Sequence, residues 1–525
     1  MARTATRGQK PAQIDDRLHW LRAVTQSVRR LFDRDRQLFH GGEATGRSGF
    51  LGRLMWNSWS RAAAVLAGAL LLCWPAVYNG FPLLYPDSMT YVGDGPNVAR
   101  AVFLHSLSEY YGVRSFFYSL GILPFNWNVT PWPVVALQSM LVAWVVWLVV
   151  RSIAPRHTVS RYLVIVVLLA ALTSASWYAS FIMPDILGPI LYLAIYLLVF
   201  GRDTLIRVER LSLYPLAWWA ATAHATHLVL AAGLCVLLAI FVALERKSFR
   251  IRIRAVGEVA AVIVLAATAQ MALHGYLYGK PSLNGEPRPY LMARVIADGP
   301  GRLYLEKNCG HLQWTICRHL GQLSDDVDAF LWVDNGVFEG SSDEEKKSIG
   351  KEEMPLVLAT LRIYPREQFL KSAANFQEQL MSFGSYGFDH NQWLLDQFSQ
   401  VLTPSRSSYL RSREARDGLP LDLISDVQFW TVAASLAAIA VLIPLLWRRH
   451  SPRVAGLGLV ILSMVVFNSL LTGVVAVVDD RYGCRVIWLV PLLAGLLALD
   501  WLHQRQMAKQ EARSRTAEEQ VAVLA

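Results

Sequence analysis

Charged residues are scarce in this 525-residue chain, where they make up 17% of the sequence, against about 25% in an average soluble protein. Together with 54% hydrophobic residues and a mean hydropathy of +0.32, this scarcity excludes intrinsic disorder. Cysteine is also rare, and five cysteines in a chain of this length exclude a small disulfide-stabilised scaffold. The composition is therefore not that of an ordinary soluble protein.

Motifs for nucleotides and nucleic acids are missing as well. The sequence contains no GxxxxGK[ST], no nucleotide-binding GxGxxG and no long basic tract that would suit a nucleic acid. We therefore expect no nucleic-acid partner. The net charge of +10 needs another explanation, and membrane topology is the alternative.

Long apolar runs are abundant instead. A membrane span needs roughly 20 mostly apolar residues to cross about 30 Å of hydrocarbon. We predict ten spans, of which the fourth and fifth are short. They cover residues 61–79, 131–150, 161–177, 186–200, 211–224, 226–244, 256–275, 427–447, 454–477 and 486–502.

The charges test this arrangement. With the N-terminus in the cytoplasm, the inward segments and the border residue Arg161 carry a net charge of +18, and the outward segments carry −7. Basic inner loops such as 151–161 and 245–254 fit the tendency of Lys and Arg to stay in the cytoplasm. The pattern predicts a multi-pass protein of a bacterial-type inner (plasma) membrane, with both termini cytoplasmic.

The predicted fold class is an α-helical polytopic membrane protein with about ten transmembrane helices and a mixed, outward-facing soluble domain. Apolar residues recur at helical spacing among arginines over 15–38, which predicts a basic amphipathic helix on the inner leaflet; a solvated tail is the alternative. The predicted parts are a cytoplasmic tail (1–60), a transmembrane domain of seven spans with an outer loop at 80–130 (61–275), an external, periplasmic domain (276–426), three further spans (427–502) and a cytoplasmic tail (503–525).

The external domain contains two of the cysteines, Cys309 and Cys317. An oxidising compartment favours a disulfide between them. Zinc binding is the alternative, although no CxxC motif or second ligand pair accompanies them.

The same domain contains a predicted helix over 365–380. One face of that helix carries an apolar stripe, which we expect to pack on the membrane-side body. The stripe consists of Phe369, Ala373, Phe376 and Leu380.

Ionisable side chains at membrane depth are costly and are candidates for function, and here they gather at the outer ends of spans. In the first outer loop Asp87 follows Pro86 just after the first span, where it is either part of a site or a helix cap. Asp94 lies in a Gly-Asp-Gly-Pro sequence, for which ordinary turn chemistry is the alternative. Arg114 lies further along this loop.

The next two outer turns are short. Asp185 follows Pro184 and either caps the fourth span or faces a wet cavity. His224 and His227 are three residues apart, so on a helix they point the same way. This pair could bind an anionic headgroup, ligate a metal or simply pack at the interface.

The last outer turn contains Asp479, Asp480, Arg481 and Arg485 immediately before the final span. The adjacent acids and arginines could neutralise one another. Alternatively, Arg481 or Arg485 could hold a phosphate with its two-pronged guanidinium.

These outer turns resemble a known family. The first loop carries Asp87 in YPDSMTYV, the stretch PDILGPILYLAIYLLVFG (184–201) leads from an acid into a span, and DDRYGCRVIWLVPLLAG places Arg-Tyr before a last span that contains proline. In these features the chain resembles the GT-C superfamily of polytopic glycosyltransferases, which use polyprenyl-phosphate-linked sugars. A large external domain between late spans is also common in that superfamily.

The resemblance implies a GT-C-like, inverting membrane glycosyltransferase. Its donor would be a polyprenyl-phosphate-linked sugar, and its acceptor a lipid or glycan of the cell envelope, on the outer face among membrane lipids. It implies Asp87 as the base and Asp185 as a second catalytic carboxylate that orients the reactants. The predicted substrate- and phosphate-binding residues are Arg114, His224, His227, Arg481, Arg485 and Asp94.

In two features the chain departs from the family's pattern. The first loop has no DxD motif, and His224 and His227 stand where a lysine is frequent in some branches. No residue is assigned as a metal ligand, and a divalent cation is the one candidate cofactor.

Two other classes of function stay open. A transporter or flippase of a lipid-linked or anionic substrate would need polar residues at the bilayer midplane and paired halves, whereas the span interiors here are nearly free of charge. A non-enzymatic envelope-assembly protein would tolerate substitution of Asp87, Asp185 and Arg114.

Overall fold

Helices make up the regular structure of the described part of the chain. The computed structural model describes residues 47–107, 114–155, 158–244, 253–283, 288–389, 392–446, 452–502 and 504–506. Within these ranges no strand occurs. The predicted amphipathic helix over 15–38 lies outside the described residues. An apolar solvent such as the membrane interior favours helices, because a helix satisfies its backbone hydrogen bonds within one segment.

The helices are numbered in chain order. The first eleven are α1 (Arg47–Leu72), α2 (Trp74–Asn79), α3 (Pro86–Leu104), α4 (Phe116–Asn126), α5 (Trp132–Ile153), α6 (Thr158–Leu172), α7 (Ala175–Ala179), α8 (Leu187–Val199), α9 (Arg207–Thr222), α10 (Ala225–Leu244) and α11 (Ile253–Tyr278). The next seven are α12 (Tyr290–Ala297), α13 (Pro300–Asn308), α14 (Val327–Leu331), α15 (Asp343–Ile363), α16 (Pro365–Met381), α17 (Gln392–Gln397) and α18 (Arg406–Tyr409). The last three are α19 (Leu421–Leu446), α20 (Pro452–Val475) and α21 (Asp480–Ile487), which continues past a turn at Trp488 as an apolar helical segment to Gln506.

Within the described ranges, six helical segments are long and apolar enough to cross a membrane, by length and composition. This confirms the prediction of an α-helical membrane protein. The six coincide with the first, second, seventh, eighth, ninth and tenth predicted spans. They are Trp59–Asn79, Trp132–Ile153, Ile253–Tyr278, Leu421–Leu446, Pro452–Val475 and Asp480–Gln506.

The other four predicted spans fall on shorter helices, so the total of ten crossings stays a prediction. Three of them are apolar, at Thr158–Leu172, Pro184–Val199 and Ala225–Phe241, and the fifth predicted span falls largely within α9. Among these, α8 is buried along its whole length and packs against α5, α9 and α20. A helix that is apolar on all sides belongs in such a central position.

The segment between α11 and α19 divides into two parts by its packing. Residues of α12 to α15 form a separate core that includes Met292, Phe330 and Leu356. Beside that core, Cys309 and Cys317 form a disulfide with an S–S distance of 2.08 Å. Residues 383–409, by contrast, contribute to the main core of the helical bundle. The predicted external domain is therefore continuous with the bundle over its last part.

The apolar stripe of α16 packs on the bundle only at its end, where Leu380 contacts the main core; Phe369 and Ala373 are exposed, so the expectation was wrong for the first part of the stripe. Phe369 is 71% exposed, and the buried side of the helix carries Gln368, Asn375 and Gln379 instead. Gln368 and Asn375 donate hydrogen bonds of 2.6 and 2.8 Å to the buried carboxylate of Asp298. A buried carboxylate needs such donors, so the helix turns its polar side inward.

A buried glutamate ties the first outer loop to the segment before α19. Glu414 is 1% exposed, and its carboxylate accepts hydrogen bonds from the Leu84 amide at 3.1 Å and from Asn79 Nδ2 at 3.3 Å. Its own amide donates to Asn79 Oδ1 at 2.8 Å. Burial raises the pKa of Glu414 well above its usual range, and the hydrogen bonds from Leu84 and Asn79 oppose that rise. This contact holds the chain shortly before Asp87.

The raised pKa of Glu414 predicts a pH-dependent stability. A carboxyl group whose pKa is higher in the folded state contributes stability below its unfolded pKa and loses it as the pH rises. We expect the thermal unfolding temperature of the detergent-solubilised protein to fall as the pH rises above 4.5, the ordinary pKa of a glutamate, and to fall less in Glu414→Gln. Glu344→Gln changes an exposed glutamate and is the control. Parallel curves for the wild type and Glu414→Gln would contradict the assignment.

Candidate functional site

A row of ion pairs joins distant parts of the chain at the end of the bundle that the charge distribution predicts to face outward. Arg114 Nη2 lies 2.6 Å from Asp87 Oδ1. Arg481 lies between two acids, with Nη1 3.8 Å from Asp87 Oδ2 and Nε 3.8 Å from Asp185 Oδ1. Arg485 Nη1 completes the row at 3.4 Å from Asp185 Oδ1. Positive and negative side chains therefore alternate along the row, which we call the ionic row.

Local structure explains how these side chains are presented. Asp87 lies in the first turn of α3, directly after Pro86, where an acid interacts favourably with the helix dipole. Asp185 lies in a 3₁₀ turn, Pro184–Ile186, that leads into the central helix α8. Arg481 and Arg485 are four residues apart on α21 and so share one face of it.

Exposure decreases steadily along the ionic row. The side chains of Arg114 and Asp87 are 22% and 13% exposed, whereas those of Asp185 and Arg485 are each 1% exposed. Arg481 lies between these extremes. The row thus has an open end at Arg114 and Asp87 and a buried end at Asp185 and Arg485.

The buried end is held by further polar contacts. Arg485 donates to Asn468 Oδ1 at 2.8 and 3.2 Å and to Thr226 Oγ1 at 3.4 Å. Asp185 Oδ2 has no hydrogen-bond partner among the described residues. Asn468 was not among the residues predicted from the sequence, although an asparagine inside the apolar helix α20 was a signal for a polar contact.

Aromatic rings enclose the two more exposed arginines. The Arg481 guanidinium lies 4.4 Å from the ring centre of Tyr85 and 5.0 Å from that of Tyr482. Arg114 lies 4.7 Å from the ring centre of Trp332, which follows α14 in the separate core. Cation–π contacts of this kind position a guanidinium without neutralising its charge. Tyr85 and Trp332 are distant in sequence from the arginines that they contact, so no local pattern indicated them, whereas Tyr482 directly follows Arg481.

Arg114 keeps its charge. Burial is the largest single effect on the pKa of Arg114 and lowers it, but Asp87, Tyr91 and Tyr290 together raise that pKa above its ordinary value. Burial raises the pKa of Asp328, a carboxyl that the sequence analysis also missed; Asp326 and Asp479 raise it further, and Arg481 and Arg114 oppose the rise. The row itself contains three arginines and two acids, which leaves an excess of positive charge suited to an anion.

The two histidines lie beside the buried end. Their ring centres are 5.4 Å apart. His224 Nδ1 lies 2.8 Å from Thr226 Oγ1, the hydroxyl that Arg485 also contacts. His227 is fully buried, with Nδ1 3.0 Å from the Ala220 carbonyl oxygen. Its ring is so close to Gly188 that a Cβ there would lie 2.9 Å from Nε2. His227 therefore packs between helices, and His224 reaches the row through Thr226.

Asp94 does not lie in a turn, so the alternative of ordinary turn chemistry was wrong, and its role in binding substrate stays a prediction. The Gly-Asp-Gly-Pro sequence continues helix α3, and Asp94 is buried in it, two turns beyond Asp87. A Cβ on Gly95 would lie 3.1 Å from the Ser119 carbonyl oxygen, so α4 packs closely on α3 here. Tertiary packing has overridden the local turn preference.

Asp479 and Asp480 do not neutralise their neighbouring arginines through ion pairs. Asp479 accepts a hydrogen bond from the Arg481 amide and so caps α21. Asp480 accepts one from the Gly384 amide at 2.9 Å. Both acids thus accept hydrogen bonds from backbone amides. The guanidinium of Arg481 forms its ion pairs with Asp87 and Asp185 instead.

Within the described residues, no group of three or more His, Cys, Asp and Glu side chains gathers in a way that could hold a metal ion. The divalent cation therefore stays a prediction. No protein-family model, curated protein or solved structure matches the chain. The function is accordingly argued from the ionic row and its surroundings.

The buried end predicts a large effect on stability. Removing one partner of a buried ion pair costs about 3–5 kcal/mol, because the other charge is left without compensation. Because Arg481 still lies 3.8 Å from Asp185, we expect Arg485→Leu to destabilise the protein by at most about that amount, and Asp185→Leu/Arg485→Leu to recover part of the loss. Chemical unfolding in detergent measures both. The exposed Arg411→Leu is the control. Additive losses in the double variant would contradict a coupled pair.

Proposed function

We propose that this protein is a membrane glycosyltransferase that moves a sugar from a polyprenyl-phosphate donor to a cell-envelope acceptor on the outer face of the membrane. The observation that carries the proposal is the ionic row, with its open end at Asp87 and Arg114 and its buried end at Asp185 and Arg485. Such a row offers a carboxylate for an acceptor hydroxyl beside guanidinium groups for a phosphate.

Phosphate binding is assigned to the open arginines. Arg114 is the most exposed cation of the row, and its planar fork suits two phosphate oxygens. Arg481 is next to it along the row and contacts Asp87 only at 3.8 Å, so it can approach the same ligand. Arg485 is already engaged by Asp185, Asn468 and Thr226 and holds the others in place.

The proposed reaction is an in-line displacement. The acceptor hydroxyl oxygen attacks the anomeric carbon of the sugar, and the bond from that carbon to the phosphate oxygen breaks. The electron pair of the broken bond stays with the polyprenyl phosphate, where Arg114 and Arg481 stabilise the added charge. The hydroxyl proton passes to the Asp87 carboxylate. Asp185, at 1% exposure, is assigned to positioning Arg481 and Arg485 rather than to proton transfer.

An apolar groove near the buried end suits the polyprenyl chain. The groove has a volume of about 480 Å³ and lies among α6, α19 and the last helix, where Thr173, Ala434 and Pro491 are part of its lining. Ser174, next to Thr173, donates a hydrogen bond of 2.7 Å to the carbonyl oxygen of Cys484, the residue before Arg485. This hydrogen bond joins the neighbour of a lining residue to the neighbour of Arg485, and the apolar lining of the groove suits an apolar tail.

Asp87→Asn tests the proposed base. The amide keeps the shape of the side chain but cannot accept the proton, so we expect transfer to fall by about 10²–10⁴-fold. The measurement is sugar transfer by the purified protein from a panel of polyprenyl-phosphate sugars, supported by envelope glycan and lipid profiles of a deletion strain carrying each variant. Asp343→Asn, an exposed acid on α15, is the control. Equal activity in Asp87→Asn would remove Asp87 from this role.

Arg114→Gln and Arg114→Lys test phosphate stabilisation. Losing one donor to a developing negative charge costs about 10²–10³-fold in kcat, and we expect that loss in Arg114→Gln. Lysine keeps the charge without the two-pronged geometry, so Arg114→Lys should recover only part of kcat. Full activity in Arg114→Gln would contradict the assignment, and absence of transfer from any donor by the wild type would contradict the proposed function itself.

A further inference from the structure

Helix α16 buries polar side chains and exposes large apolar ones near its start. Its buried residues are Gln368, Asn375 and Gln379, whereas Phe369 and Leu370 are exposed beside charged residues. In water, the large apolar side chains of a helix would face the core. Exposed apolar side chains mixed with charged ones are typical of a helix at the boundary between water and an apolar medium.

The end of α15 continues the same surface. Met354, Leu358 and Leu361 recur at helical spacing, and Ile363 follows them; all four are exposed. Only Tyr364 separates α15 from α16, so the exposed residues on both sides of this junction lie close together. We call the surface around the junction the apolar corner. It consists of Met354, Leu358, Leu361, Ile363, Phe369 and Leu370.

Basic residues accompany the apolar corner. Arg362, Arg366 and Lys371 are exposed within it, against one exposed acid of the same stretch, Glu367. Apolar side chains mixed with Lys and Arg are typical of helices that lie in a membrane interface with anionic headgroups.

The apolar corner is attached to a candidate membrane span. A Cβ on Gly473 of α20 would lie 2.7 Å from the Asn375 carbonyl oxygen and 3.0 Å from Gln379 Cβ, so the backbones of α16 and α20 approach closely. Gln379 also exchanges hydrogen bonds of 2.9 Å with the backbone of Asp479, just beyond α20. α20 also exposes Leu470, three residues before Gly473, so the helix against which α16 packs carries an exposed apolar side chain as well.

We propose that the apolar corner inserts into the outer leaflet of the membrane, with Phe369 and Leu370 among the acyl chains and Arg362, Arg366 and Lys371 at anionic headgroups. The lipid surface is favoured over a protein partner because α20, against which α16 packs, is a candidate span. This inference is independent of the proposed reaction.

Insertion of the apolar corner would also fix the height of the separate core above the membrane. α15 contributes Ile349 and Leu356 to that core, and the chain of the same core carries Trp332, which lies over Arg114. A membrane anchor on α15 and α16 therefore constrains the ring that covers the open end of the ionic row.

Depth measurement by spin labelling tests insertion. Phe369→Cys in the full chain carries a nitroxide label in vesicles that contain anionic phosphatidylglycerol, and Glu344→Cys at the far, exposed end of α15 carries the matched label. The label signal of the unsubstituted protein corrects for the native free cysteines. We expect the ratio of oxygen to water-soluble nickel-chelate accessibility to be several-fold higher at position 369 than at position 344. Equal ratios would overturn the proposal and favour a protein partner.

The role of the basic residues is tested in the same vesicles. Arg362→Gln/Arg366→Gln/Lys371→Gln should lower the accessibility ratio of the label at position 369. Replacing phosphatidylglycerol by neutral phosphatidylcholine should have a similar effect on the labelled protein that keeps all three basic residues. These positions are exposed, so folding should persist, which circular dichroism of the labelled protein checks. Unchanged ratios in both tests would overturn the headgroup contact.

Discussion

The arrangement of this bundle depends on one constraint: the Asp185 carboxylate lies almost completely buried where the central helix begins. A buried charge without a partner is more costly than most single packing defects. Arg485 and Arg481 compensate for it, and both come from α21. The helices α8 and α21 must therefore meet at this point. Asn468 of α20 and Thr226 of α10 complete the contact, so one buried carboxylate determines the relative position of four helices.

A second buried carboxylate, that of Asp298, imposes the same kind of constraint on the segment beyond the bundle. Asp298 is buried beside Arg294, and Gln368 and Asn375 of α16 donate hydrogen bonds to it. Satisfying this carboxylate brings the polar side of α16 inward and leaves Phe369 exposed. In a soluble domain, that exposure would oppose the hydrogen bonds. Next to a membrane it costs little, because the medium can take up the apolar side chains.

Hydropathy predicted the six long apolar helices and the end of the bundle at which the ionisable residues gather, because span length and charge bias are local properties. Hydropathy could not predict which acidic and basic side chains form ion pairs. Asp479 and Asp480 are nearest to Arg481 in sequence, yet Asp87 and Asp185 pair with it, because the neighbouring acids cap a helix and bind an amide. The turn expected at Asp94 and the packing expected of Phe369 were wrong for the same reason: tertiary contacts with α4 and Asp298 outweighed local patterns.

The gradient of exposure along the ionic row bears on the kind of chemistry that it suits. A carrier must bind and release its ligand, so its charged groups have to exchange partners easily. Asp185 and Arg485 are enclosed by fixed contacts, which oppose such exchange. A site that stabilises charge as it develops in a reaction needs the opposite property, namely dipoles and charges that are held before the ligand arrives. The buried end can supply that rigidity to Arg481, and through it to the open pair of Asp87 and Arg114. For this physical reason we favour transfer over transport.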